Sequence, residues 1–264
     1  MVESPPSLRN SLAVQFRVVK ALFLREVLTR FGRHNLGFLW LFGEPMIFTL
    51  GIVALWTAMG SMHGSTLPIV AFAVTGYSSV LLWRNMPMRC IKAIEPNAAL
   101  MFHRNVKVID IYIARVLLEA AGATISFVVL SMVFVALGLM RGPDDVLKII
   151  GAWLLLAWFG ASLALVIGGF SETSEVVEKL WHPGSYLMFP LSGAAFLVDA
   201  LPTAAQHYIL FIPMVHGAEM LRDGYFGDSV RTHYDAGYLM AWCLGLTLIG
   251  LAKVRVVSRN VVPE

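Results

Sequence analysis

His216 and Glu219 stand three residues apart, a spacing that puts an imidazole and a carboxylate on one face of a helix. Such a pair could begin a metal site, yet the seven histidines include no H-x-x-x-H and one pair is weak evidence for a metal, so it is read as an ordinary polar contact. A phosphate cradle would need G-x-x-x-x-G-K-[ST], and the glycine pair Gly168-Gly169 runs into Phe170 with no lysine. No G-x-S-x-G nucleophile turn occurs either. These residue types propose no bond-making chemistry and no motor within the chain. The group out of place is an acid. In RFGRHNLGFLWLFGEPMIF, Arg30 to Phe48, Glu44 and Pro45 interrupt a long apolar run. Nine residues past Asn35, Glu44 is expected ~13 Å into a helix. An ionisable group at that depth should face protein or water. Glu44 therefore either lines the mouth of a pathway or subunit interface, or pairs with Arg84, Arg115 or another basic residue.

The elements that must hold such groups are membrane spans. Of 264 residues, 58% are hydrophobic and 14% charged, with mean hydropathy +0.72. Soluble domains are about 45–50% apolar and about 25% charged. The apolar runs approach the ~20 residues a bilayer crossing needs and lack the period-two alternation of a membrane barrel. Six spans are expected, at about 36–60, 66–83, 108–139, 146–170, 184–201 and 237–252, the fifth short and broken by Pro190 and Gly193. The fold class is all-α: a polytopic integral membrane protein whose single domain covers 1–264. Cys90 and Cys243 are expected as unpaired thiols, and the first 35 residues show no cleavable signal peptide.

Charge sets the orientation. Fifteen Lys and Arg residues fall in the N-terminal segment, the 84–107 loop, Lys179 and the C-terminal tail; four (Arg141, Lys148, Arg222, Arg231) fall on the other side. The positive-inside rule places both termini in the cytoplasm. Residues 8–33, with Leu8, Leu12, Phe16, Val19, Phe23 and Val27 recurring at three- and four-residue steps, are read as an amphipathic helix on anionic lipid or against a partner protein.

Polar features cluster in three connections. The loop RNMPMRCIKAIEPNAALMFHRNVK, 84–107, contains breaks at Pro87 and Pro96 and a short helical piece near 97–103; SETSEVVEKLWHP, 171–183, aligns Glu172, Glu175 and Glu178. Both suit either solvated turns or docking surfaces, with Arg89, Lys92, Glu95 and Asn97 the candidates in the first. The third, 191–235, holds two half-length apolar pieces split by Pro213. Too short to span, they are expected as re-entrant half-helices over 202–222 or as surface helices, since non-helical backbone at membrane depth needs protein or water around it. Trp40, Trp83 and Trp158 could stack on sugar rings along a path, or belong to interfacial belts and core packing.

RFGRHNLGFLWLFGEPM resembles the opening of the first span of ABC-2-type permeases, and PLSGAAFLVDALP with FIPMVHGAEMLRDGYFG resembles their stretch between spans five and six. Within that family the chain is most similar to KpsM-type capsular polysaccharide export permeases. The resemblance implies a homodimer of permeases driven by two cytoplasmic ATPase subunits, which bind the ATP and Mg, so no cofactor is expected in this chain. It implies ATPase contact for the N-terminal helix and the 84–107 loop, and a periplasmic gate at Pro202, Pro213, Glu219 and Arg222. The substrate would be an acidic, lipid-anchored glycan, passed to a periplasmic co-polymerase and outer-membrane export proteins; nucleic acid is not an expected partner. O-antigen or teichoic-acid export is the nearest alternative. An integral membrane enzyme on lipid-linked sugars would want paired carboxylates or histidines, and a channel or secondary transporter would want inverted repeats.

Overall fold

The structure, a computed structural model, describes residues 8–31, 39–59, 67–102 and 106–261. Arg33, Arg104 and the outermost residues of the first two expected spans lie outside it. Among the described residues there are nine α-helices and no strand: α1 Leu8–Phe31, α2 Trp40–Met59, α3 Ile69–Cys90, α4 Val108–Ala136, α5 Val146–Ser171, α6 Glu175–Leu191, α7 Thr203–Ile209, α8 Pro213–Phe226 and α9 Ala236–Val261. Of these, α4, α5 and α9 are long and apolar enough to cross a membrane, and Gly43–Met59 of α2 is a shorter apolar helix. One end of the bundle carries α1 and the connections at 91–102 and 172–174, and is called the basic end; the other carries 137–145 and 192–235.

Helix α5 is the axis, packed by α3, α4, α8 and α9. It runs parallel to α9: the Cys243 thiol lies 3.8 Å from the Leu155 carbonyl, the Trp158 indole N–H donates to Thr247 Oγ1 at 3.1 Å, and Lys253 sits 4.8 Å over the Phe170 ring. With no hydrophobic drive between helices in lipid, close approach depends on small residues. A Cβ on Gly160 would lie 2.8 Å from the Trp83 Cα, and one on Gly168 would lie 2.5 Å from the Tyr112 ring. Cys90 and Cys243 are free and fully buried in these seams.

Three expectations shift. The second span does not give way to a loop at Arg84; α3 continues through Pro87 to Cys90, its last two turns held by the buried Met86, Pro87 and Cys90, which offset the helical bond that Pro87 cannot give to the Trp83 carbonyl. The fifth span is expected at 184–201, but the helix is Glu175–Leu191. Ser174 at its start and Glu175 and Glu178 in its first turn favour a helix N-terminus. Ser192 closes it, followed by Gly193 at φ +78°, the left-handed exit that glycine accommodates. At 17 residues α6 is ~25 Å long, short of a hydrocarbon core ~30 Å thick. Finally, α1 packs on α4 through Gln15 and Glu26 and buries Leu22, while Leu12 and Phe16 of the expected stripe are exposed.

Candidate functional site

At the basic end, α2, α3 and α6 enclose a crevice of about 110 Å³ lined by Glu44, Phe48, Arg84, Asn85, Arg89 and Tyr186, among others. Leu39 forms a turn and α2 begins at Trp40, so Glu44 sits ~6 Å into the helix, nearer its end than the ~13 Å expected. Pro45 follows it inside the helix, where it leaves the Leu41 carbonyl without its helical donor. Glu44 Oε1 lies 4.0 Å from Arg89 Nη2, and Arg89 Nε lies 3.4 Å from Glu119 Oε1. The Arg89 carbonyl accepts from Arg115 Nη1 at 2.6 Å, and Arg115 Nε is 3.1 Å from Glu26 Oε1. A ladder of charges thus crosses α2, α3, α4 and α1, with Glu44 paired to Arg89 rather than to Arg84 or Arg115.

Arg84 is placed differently. Its guanidinium lies 5.0 Å over the ring of Tyr186, which is 61% exposed, and beside the Tyr77 hydroxyl. It has no carboxylate within ion-pair distance among the described residues, and its buried Nε lacks a hydrogen-bond partner. A cation that is in no ion pair among the described residues, beside an open aromatic ring, can receive a mobile anionic group and a sugar face. Neither Arg84's role here nor Tyr186 stood out in the sequence; the signal was the polar run RNMPMR read as loop.

Of the four expected docking residues, Glu95 is exposed, together with Pro96, Ala98 and Ala99, on a 3-10 turn spanning Glu95–Phe102. Lys92, at φ +46°, gives its backbone N–H to Ser171 Oγ at 3.1 Å. Asn97 is buried: its Oδ1 accepts from Arg25 Nη1 at 2.5 Å and its Nδ2 donates to the Ala93 carbonyl at 2.8 Å. The Ile94 amide donates to Glu172 Oε1 at 3.0 Å; burial pushes that carboxyl above the usual range, and the amide bond opposes the shift. These bonds set the 91–97 segment against α1 and the end of α5.

At the opposite end, Pro202 precedes α7 and Pro213 opens α8, a first-turn position where its missing N–H costs nothing. A Cβ on Gly217 would strike the Leu156 side chain, ~15 Å along α5, and one on Gly224 would approach the Ile149 nitrogen and Asp145 carbonyl. Helix α8 therefore lies alongside half of a spanning helix. Arg222, 1% exposed, donates from Nη1 to the Gly193 and Phe196 carbonyls and from Nη2 to that of Ala194, each at 2.5 Å; its Cζ is 3.9 Å over the Phe72 ring. Glu219, fully buried, accepts the backbone N–H of Val198 at 3.3 Å and of His233 at 3.0 Å. His216 is occupied as well: Nδ1 accepts from the Asp235 amide at 2.8 Å, so Nε2 carries the proton that goes to the Leu210 carbonyl at 2.7 Å. His216 and Glu219 therefore serve separate backbone groups.

The expected path tryptophans are divided. Trp83 is fully buried against Phe159 at 6.2 Å, Trp158 sits in the α5–α9 seam, and Trp40 is exposed at the start of α2. Only Trp40 shares an open helix with Glu44.

Three helices long and apolar enough to cross a membrane, with the short α8 folded back along one of them, define a polytopic helical membrane protein. Residues 17–226 match the ABC-2 type transporter family, and the chain belongs to it. It is 47% identical to the capsule polysaccharide export inner-membrane protein CtrC of Neisseria meningitidis serogroup B, over 97% of this chain and 96% of that protein. It is 43% identical to the capsule polysaccharide export inner-membrane protein BexB of Haemophilus influenzae, over 97% of each. Identity to the polysialic acid transport protein KpsM of Escherichia coli is 30%, over 94% of this chain and 96% of that protein.

Proposed function

We propose that the chain is the membrane permease of an ABC exporter that moves lipid-anchored capsular polysaccharide across the bacterial inner membrane. Two copies stand side by side, both termini are cytoplasmic, and two separate ATPase subunits bind ATP and Mg and supply the energy. The observation that carries this reading is the Arg84–Tyr186 crevice, whose guanidinium, in no ion pair among the described residues, and open ring suit an acidic sugar chain, in a protein that nearly full-length relatives named for capsule export resemble. Exposed Phe48 on α2 lines that crevice, Ile47 and Leu187, next in sequence to its lining residues Phe48 and Tyr186, are exposed as well, and a second copy would cover them. Arg89, Lys92, Glu95 and Asn97, with α1, form or brace the ATPase-docking face; Glu44, Trp40, Trp83 and Trp158 line or support the path. Pro202, Pro213, Glu219 and Arg222 belong to the periplasmic gate, beyond which a co-polymerase and outer-membrane proteins take the glycan.

The test is reconstitution. The permease with its co-purified ATPase should move a lipid-linked acidic glycan into vesicles on adding ATP, and the permease alone should neither move it nor hydrolyse ATP. Arg84→Gln should lower transport roughly tenfold, the scale of one charge-assisted hydrogen bond, while ATPase binding persists. Unaided transport, or wild-type transport in Arg84→Gln, would count against the reading.

A further inference from the structure

Glu219 and Arg222 are three residues apart on α8, both buried and of opposite charge, yet each hydrogen-bonds to backbone outside α8. The turn after α6 is non-helical, and part of it sits deep: a Cβ on Gly76, ~10 Å along α3, would lie 2.3 Å from the Ala194 carbonyl and 2.7 Å from Arg222 Nη2. Free carbonyls at such depth are costly unless protein supplies donors. Arg222 supplies three bonds to that turn from one planar fork, with its face on Phe72 of α3. Glu219 takes the amide of Val198, in the same turn, and the amide of His233, on the approach to α9.

Resting on the gate reading above, we infer that Glu219 and Arg222 are positioning residues that bind the 192–198 turn, the approach to α9 and the adjoining half of α3 to α8, so that this end moves as one block instead of opening at the turn. Substrate exit then depends on displacement between blocks.

Two measurements on the full chain test this. Cysteines at Gly193 and Ala218 would place their Cβ atoms about 3.6 Å apart, within disulfide range. In the reconstituted exporter, oxidised and reduced Gly193→Cys/Ala218→Cys protein should transport equally. Transport lost on oxidation and regained on reduction would overturn the inference. Amide exchange needs no cysteine at the left-handed Gly193: in wild-type protein the 193–200 and 233 amides should stay equally protected at rest and during ATP turnover, and collapse of protection on turnover would also overturn it. If the wild-type chain carries no glycan, the functional reading fails by itself and resting exchange still decides the clamp. Arg222→Lys, which keeps the charge but loses the fork, should speed exchange across 193–200 at least tenfold; unchanged exchange would sink the proposal.

Discussion

The two ends of the molecule use charge in opposite ways. At the basic end, Glu44, Arg89, Glu119, Arg115 and Glu26 pair side chain to side chain, and Arg89 remains 44% exposed. At the other end, Arg222 and Glu219 are sealed from solvent and spend their hydrogen bonds on backbone. Exposed pairs are weak and exchangeable; a buried ion with fixed backbone ligands has nowhere to go when one ligand is removed. The difference teaches where rearrangement is cheap. The half-exposed Arg89–Glu44 pair of the ladder can be traded as helices shift, whereas the clamp must travel with everything it holds.

The sharpest challenge to that contrast is Arg222→Met, which leaves Glu219 as an unbalanced buried charge and three carbonyls bare. A loss of about 3–5 kcal/mol is expected, read as a fall in the thermal midpoint and folded yield of detergent-solubilised protein. Next is the anchor at Glu172. Glu172→Ala should cost about 1–3 kcal/mol by stranding the Ile94 amide, while Glu172→Gln, which keeps an acceptor and loses the charge, should cost nothing at neutral pH. The sign follows from the raised carboxyl: the folded state takes up a proton more readily than the unfolded one, so this site's contribution improves as pH falls to just above the ordinary carboxylate range. Thermal midpoints between pH 7 and 5 should show that slope in wild type and not in Glu172→Gln. Smaller still, Arg89→Lys should cost less than about 1 kcal/mol; a loss comparable to Arg222→Met would erase the distinction between the ends. Smallest is Glu175→Gln, which breaks a fully solvated i,i+4 pair with Lys179 and should not shift the midpoint measurably.

Hydropathy found the spans that are apolar throughout. Helices α4 and α5 begin at the expected Val108 and Val146, and α5 ends at Ser171, one residue past the expected end. It misjudged helices whose ends are polar. Helix α9 runs nine residues past the expected 252, carrying Lys253, Arg255 and Arg259; long basic side chains reach head-group water from helix ends, so charge there marks the bilayer boundary and not the end of the helix. The same confusion made a loop of the last turns of α3 and of the first turns of α6. Two half-helices around Pro213 were legible because that proline breaks an apolar run too short to span, and they lie at Thr203–Ile209 and Pro213–Phe226. Glu219 and Arg222 stood out as charges in that stretch, but their partners at 193–198 and 233 did not, because a backbone carbonyl leaves no mark in residue type. The Arg84–Tyr186 contact joins positions about a hundred residues apart by packing alone.

Both native thiols are shut inside helix seams, and this has a practical yield. A membrane-impermeant maleimide should find nothing to modify on the unaltered chain, so single cysteines can be introduced without first stripping the protein of its own. One placed at Glu95 and another at Asp228, exposed positions at opposite ends, would read out in an afternoon which way the polypeptide is threaded.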